Sequence, residues 1–163
     1  MKKQLFTLGF LMTFLISFSQ NSHVVIKGKV ENELKEQISK CNLQVFKDDN
    51  LVKVDTTGAG GTFTFDSLYV GHVYDLYFEA EGYSLKFVRI DVKEASLNHL
   101  IRFPLELNMA LFSTAGINEA KLHFMQSEPY AIAKYNKANQ TIEWDLEYLE
   151  KMKKKVDAER GIN

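Results

Sequence analysis

Gly58-Ala59-Gly60-Gly61-Thr62-Phe63-Thr64-Phe65 is the stretch on which the fold turns. Four small residues, three of them glycine, break any regular element. The TFTF run that follows alternates, so Phe63 and Phe65 fall on one face of a strand. A strand with one aromatic face needs a second layer to cover it, which points to packed sheets.

The flanking segments repeat that logic. Val24–Val30 is β-branched and reads as a strand, followed by a polar loop over Glu31–Lys40. Asn42–Lys47 alternates with Leu43 and Val45 inward, Asp48-Asp49-Asn50 forms a turn, and Leu51–Asp55 returns as its hairpin partner. Asp66–His72 reads as a connection, and Val73–Glu79 and Leu85–Val92 as two further strands. His99–Leu107 closes the set, with Pro104 placing it at a sheet edge or marking a bend. Seven short strands at this spacing predict a mainly β chain, an antiparallel seven-strand transthyretin- or Ig-like β-sandwich. Its expected core is Val25, Val45, Phe63, Phe65, Leu76, Phe78, Phe87 and Ile90.

Beyond Leu107 the pattern changes. Asn108–Phe124 has no clear period. Ala131–Tyr135 and Thr141–Trp144 predict a hairpin. Asp145 is placed as an N-cap, and Leu146, Leu149, Met152 and Val156 recur as one apolar helical face ending near Gly161. The expected organisation is a signal peptide over 1–19, a sandwich over 20–107 and a C-terminal appendage of hairpin and amphipathic helix over 108–163.

Lys2 and Lys3, the apolar run Leu5–Ile16 and the small residues Ser17 and Ser19 form a secretory signal pattern with cleavage before Gln20. The run is well short of the ~20 apolar residues that span a bilayer. No later stretch is long and apolar enough to span, so no transmembrane segment is expected in the mature chain. An exported protein that is periplasmic, outer-membrane-associated or secreted is expected. The single Cys41 stands away from the cleavage point and excludes an internal disulfide framework. Composition is ordinary for a globular chain, with 45% hydrophobic and 12% aromatic residues. A net charge of −1 offers no basic field for nucleic acid.

Little in the sequence announces chemistry. His23, His72, His99 and His123 lack ligand spacing, so no metal and no cofactor is expected. Asp48-Asp49 and Glu79 with Glu81 lack the spacing of a calcium loop. Cys41 opens a strand and is expected to be buried. Gly58–Gly61 lacks the Lys-Ser/Thr of a phosphate loop, and there is no Gly-x-Ser-x-Gly elbow. Tyr69, Tyr74, Tyr77 and Tyr83 are the candidates for an aromatic sugar or peptide platform, with Tyr77 outside the sandwich by alternation. Lys151–Lys155 reads as a solvated helix end.

Val25 to about Val92 resembles the carboxypeptidase-regulatory-like family, a transthyretin-like β-sandwich. The resemblance is carried by Ile26-Lys27-Gly28-Lys29-Val30, Leu43–Lys47, Gly61–Leu68, Gly71–Leu76 and Glu81-Gly82-Tyr83. Asp55-Thr56-Thr57-Gly58 fits the family turn, with Ala59-Gly60 inserted. The signal, domain and tail together resemble small exported proteins of Bacteroidota-type bacteria. The resemblance implies a structural or adhesive domain with no catalytic residues. The expected function is therefore non-enzymatic, a protein-binding or structural module with a partner in the envelope or outer membrane. A carbohydrate- or small-ligand-binding domain is the alternative. A transthyretin-related hydrolase ranks behind both, since it needs His clustered with Arg, and no His adjoins Arg89 or Arg102 in sequence.

Overall fold

Among the described residues, β-branched and aromatic alternation produces nine strands, which pair into two sheets. The computed structural model describes residues 22–95, 101–118, 121, 123 and 126–161. The proposed signal segment and His99 lie outside the described residues. The strands are β1 (His23–Asn32), β2 (Asn42–Lys47), β3 (Asn50–Thr56), β4 (Thr62–Tyr69), β5 (Val73–Glu79), β6 (Lys86–Asp91), β7 (Arg102–Leu111), β8 (Ala131–Asn136) and β9 (Thr141–Trp144). Helix α1 (Leu146–Arg160) follows. One sheet has the order β4-β1-β7, the other β3-β2-β5-β6-β8-β9.

Two features correct the expectation of seven antiparallel strands. Both sheets are mixed, because β1 pairs with β7 in parallel and β6 with β8 in parallel. The β8–β9 hairpin is also part of the larger sheet. Hairpin geometry constrains only strands adjacent in the chain. Here the chain leaves β6, crosses to the other sheet for β7 and crosses back as β8, which restores its direction. Pro104 sits on β7, an edge strand, where its missing N–H is tolerated.

The core lies between the sheets, with Val24, Ile26, Val30, Leu43, Val45, Phe63, Phe65, Leu76, Phe78, Val88 and Ile90 at its centre. Two expected members lie elsewhere. Val25 is on the outer side of β1, because Val24 and Ile26 hold the inward parity. Phe87 is buried on the outer side of β6, stacked on Tyr77 with ring centroids 4.6 Å apart. Two other segments join strands: Asp66–Tyr69 extends β4, and Asn108–Leu111 extends β7 with Met109 and Leu111 buried. Gly28 faces inward where β1 meets β7, and a Cβ there would come within 1.7 Å of the Leu107 carbonyl oxygen.

Helix α1 begins as its sequence dictates. The Asp145 carboxylate accepts from the Tyr148 N–H, and Gly161 ends the helix in the left-handed conformation. Met152 and Val156 pack against Phe112, and Leu149 packs on the main core, so the helix docks on its own sandwich. Leu146 departs from the expected buried face and is 69% exposed. Beneath this end lies Lys86, only 6% exposed. Its ammonium lies 4.8 Å from the centre of the Phe112 ring and 4.1 Å from that of Tyr130, and donates to the Ala110 carbonyl. Burial, followed by the nearby Arg160 charge, lowers its pKa to about 8.

Phe65→Ala should cost about 3–5 kcal/mol, since it deletes a buried ring between the sheets. Chemical denaturation checks this, and a midpoint shift near zero would show that Phe65 is not core. Lys86 generates a pH prediction. Between about pH 8 and its ordinary value of 10.5, the folded amine is neutral while the unfolded one keeps its proton. The unfolded chain then binds more protons, so stability rises with pH by up to about 1.4 kcal/mol per pH unit. Cys41, pushed up to about 11 by burial, and Tyr74, pushed up to about 12, act oppositely above their ordinary 9.0 and 10.0, which leaves pH 8–9 as the window to measure. Denaturation curves across that window should show the rise for the natural chain, and Lys86→Met should flatten it.

Candidate functional site

The two sides of the sandwich are finished differently. On one side Trp144 donates from Nε1 to the Glu106 carbonyl of edge strand β7 at 3.1 Å, and Leu149 of α1 covers the core beside it. On the other side, edge strand β3 of the larger sheet and edge strand β4 of the smaller one flank a groove of about 330 Å³. Val45, Phe65, Leu68 and Tyr74 give it an apolar floor, and Lys47, Val52, Lys53, Asp66, Ser67 and Tyr69 line the remainder.

β3 is held in place by its turn. Asp48 and Asp49 both take positive φ, and the Asn50 amide donates back to the Asp48 carbonyl at 2.8 Å. The Asp48 carboxylate accepts from the Val73 N–H at 3.0 Å and contacts His72 Nδ1 at 2.6 Å, which ties the hairpin tip to β5. Those two contacts, the backbone N–H first, hold its pKa below the ordinary carboxylate value. At the far end, buried Thr57 donates from its hydroxyl to the Ile38 carbonyl and accepts from the Cys41 N–H. Cys41 is buried as expected, and desolvation pushes its thiol up to about 11.

Between these anchors all seven residues of β3 are exposed. Leu51, Val52 and Val54 are 51%, 54% and 59% exposed. Lys53 stands opposite inward-facing Val45, with its ammonium 5.2 Å from the centre of the Phe65 ring and 3.3 Å from Asp55. A long apolar edge strand is the feature that soluble sheets ordinarily shorten, charge or cover. Such an edge offers main-chain hydrogen bonds to an incoming strand, and the alternate side chains give specificity.

The residues singled out as candidates do not converge. Tyr74 is buried and donates to the Tyr69 carbonyl, Tyr83 packs against the core, Tyr69 is exposed beside His23, and Tyr77 lies on the outer face between Phe46 and Phe87. They form no single platform. Tyr77 has neighbouring polar groups, because Arg89 grips Asp75 through two bonds of 2.8 and 2.6 Å, but its ring is engaged by Phe87 and Phe46. His23 stands opposite Arg102 in the strand register, His72 is paired with Asp48, and His123 is exposed. Among the described residues, no three His, Cys, Asp or Glu side chains form a group able to hold a metal ion. Glu79 takes a bond from Asn42 at 3.3 Å. The exposed edge was missed because LVKVD alternates like a half-buried strand, and nothing local marks it as the last strand of its sheet.

No family model and no curated protein matches the chain. Partial likenesses exist among solved structures. 3-Chlorocatechol 1,2-dioxygenase from Rhodococcus opacus 1CP is 10% identical, with 60% of this chain and 62% of that one covered and a TM-score of 0.41. The full-length major pilin SpaD from Corynebacterium diphtheriae is 19% identical, with 58% and 31% covered and a TM-score of 0.44. A C-terminal fragment of the pilus adhesin SpaC from Lactobacillus rhamnosus GG is 9% identical, with 61% and 48% covered and a TM-score of 0.42. The match spans less than two thirds of each of those chains. At these scores they attach no activity and no partner to this chain.

Proposed function

We propose that this chain is an exported, non-enzymatic β-sandwich module that binds another protein at the cell envelope, and that β3 is its binding edge. The observation that carries this reading is the exposure of Leu51, Val52 and Val54 on an edge strand beside an apolar groove. On the opposite side Trp144 and α1 pack against the sandwich and leave a smaller groove of about 170 Å³, and the Met152 and Val156 face of the helix is already occupied. In this reading residues 1–19 direct export and are removed, 20–107 supply the carboxypeptidase-regulatory-like sandwich, and 108–163 complete and cover it. Among the described residues no helix is long and apolar enough to cross a membrane. The carbohydrate-binding alternative has weaker support, because the outer-face rings of Phe46, Tyr77 and Phe87 are spent on one another.

Mass spectrometry of exported material should find an N-terminus at Gln20, and an intact Met1 would remove the signal-peptide part of the reading. A photo-crosslinking residue at Val54, introduced in living cells, should give a discrete adduct that the same residue at Lys29, on the outer face of the other sheet, does not. Leu51→Lys with Val52→Lys, in the chain that carries the crosslinker at position 54, should abolish its adduct while leaving the melting temperature within a few degrees of the natural chain. Equal adduct patterns at positions 54 and 29 would sink the assignment of β3.

A further inference from the structure

The edge of β3 is self-complementary, and we propose that its partner is a second copy of this chain, joined by antiparallel β3–β3 pairing centred on Val54. This inference deepens the binding-edge reading above and rests on it.

Backbone geometry sets the centre. The Thr57 N–H donates to the Cys41 carbonyl at 3.0 Å and the Thr57 carbonyl accepts from the Lys40 N–H at 3.1 Å, so both backbone groups of Thr57 turn toward the β2 side. Bonded and non-bonded pairs alternate along an antiparallel ladder. With Leu43 opposite Asp55, Gln44 opposite Val54 and Val45 opposite Lys53, the backbone groups of Asp55 and Lys53 turn toward β2. Those of Val54 turn to the free side. Two copies related by a two-fold axis at Val54 therefore exchange both Val54 bonds.

Side-chain charge selects the same register. Centring on Val54 sets Lys53 of each copy opposite Asp55 of the other, in non-bonded pairs where side chains approach most closely. Centring on Lys53 would oppose two ammonium groups, and centring on Asp55 two carboxylates. An inward-pointing lysine on an edge strand ordinarily discourages pairing. Here Asp55, at 3.3 Å from Lys53 and on the same face, turns that deterrent into a filter that admits one register. Both side chains are nearly half exposed and free to reorient. The outer side then brings Val54 against its own copy.

The remaining sheet edges lack this match. β7 carries Pro104, and its Glu106 carbonyl is taken by Trp144. β9 is four residues long, with Glu143 bound by Asn136, Asn139 and Thr141. β4 exposes Thr62, Thr64, Asp66 and Ser67, with Tyr69 at its end, and carries no exposed Lys to pair with Asp66. Pairing at β3 joins two six-stranded sheets into one continuous sheet.

A charge-swap experiment tests the proposal. The mature chain should show a reversible monomer–dimer equilibrium in sedimentation between about 10 µM and about 1 mM, the range suited to a small contact. Lys53→Asp alone makes the edge wholly acidic, and Asp55→Lys alone makes it wholly basic. Each variant alone should weaken self-association roughly tenfold or more. An equimolar mixture of the two should regain the dimer as a mixed pair, which misfolded variants would not do. A monomer throughout the concentration range would overturn the inference, as would single variants that dimerise like the natural chain. If the chain stays monomeric but the crosslinker at Val54 still captures an envelope protein, the second copy is rejected and the binding edge stands. If neither association nor capture occurs, both are rejected.

Discussion

The pairing of β1 with β7 is the constraint on which the rest of the structure depends. β1 is hydrogen-bonded on both sides, antiparallel to β4 and, along all ten residues, parallel to β7. Its inward positions carry Val24, Ile26 and Val30, which form the floor on which the larger sheet packs. Gly28 interrupts that series where the Leu107 carbonyl and the Phe63 ring occupy the space of a side chain. Removing the side chain at that point lets the middle strand of the small sheet sit tightly against its neighbours. Three strands thereby cover much of a six-stranded sheet, and the larger sheet overhangs the smaller.

That overhang explains the two unlike flanks. A six-stranded layer over a three-stranded one leaves core exposed on both sides unless something fills the gap. On the β9 flank the sequence supplies Trp144, an apolar helix face and Phe112. Lys86 belongs to that closure: its aliphatic stem is buried, and its charge is shared between two aromatic rings and a carbonyl. On the β3 flank the Lys53 side chain leans over Phe65. The first flank is narrowed by residues distant in the chain to a groove of about 170 Å³, and the second is left with one of about 330 Å³.

Local chemistry was readable from the sequence where one residue decides the outcome. The β2–β3 turn followed from Asp48-Asp49-Asn50, and the helix ends from Asp145 and Gly161. Alternation in β2 and β5 placed Leu43, Val45, Leu76 and Phe78 inward and Tyr77 outward. Parity failed where apolar residues are contiguous: Val24-Val25-Ile26 offers two equally apolar faces, and only the pairing of β1 selects one. Asn108-Met109-Ala110-Leu111 carries no strand signal because Asn and Ala are weak strand formers, and tertiary pairing with β1 overrides that weakness. The spacing of Leu146 predicts an inward position, yet it lies at the first turn of the helix and is exposed. Strand order is a property of the whole sheet, so neither the parallel pairs nor the exposed position of β3 had a local signature.

Cys41 acquires a particular meaning from its position behind the exposed strand. With its thiol near 11, only roughly one molecule in ten thousand carries a thiolate at neutral pH. The closed fold thus shields a lone sulfur, and it does so by the same β2–β3 junction where Thr57 bonds to the Ile38 carbonyl and the Cys41 N–H. If that junction opens, the sulfur regains ordinary acidity and meets solvent. The edge hairpin and the shielding of the thiol therefore stand or fall together.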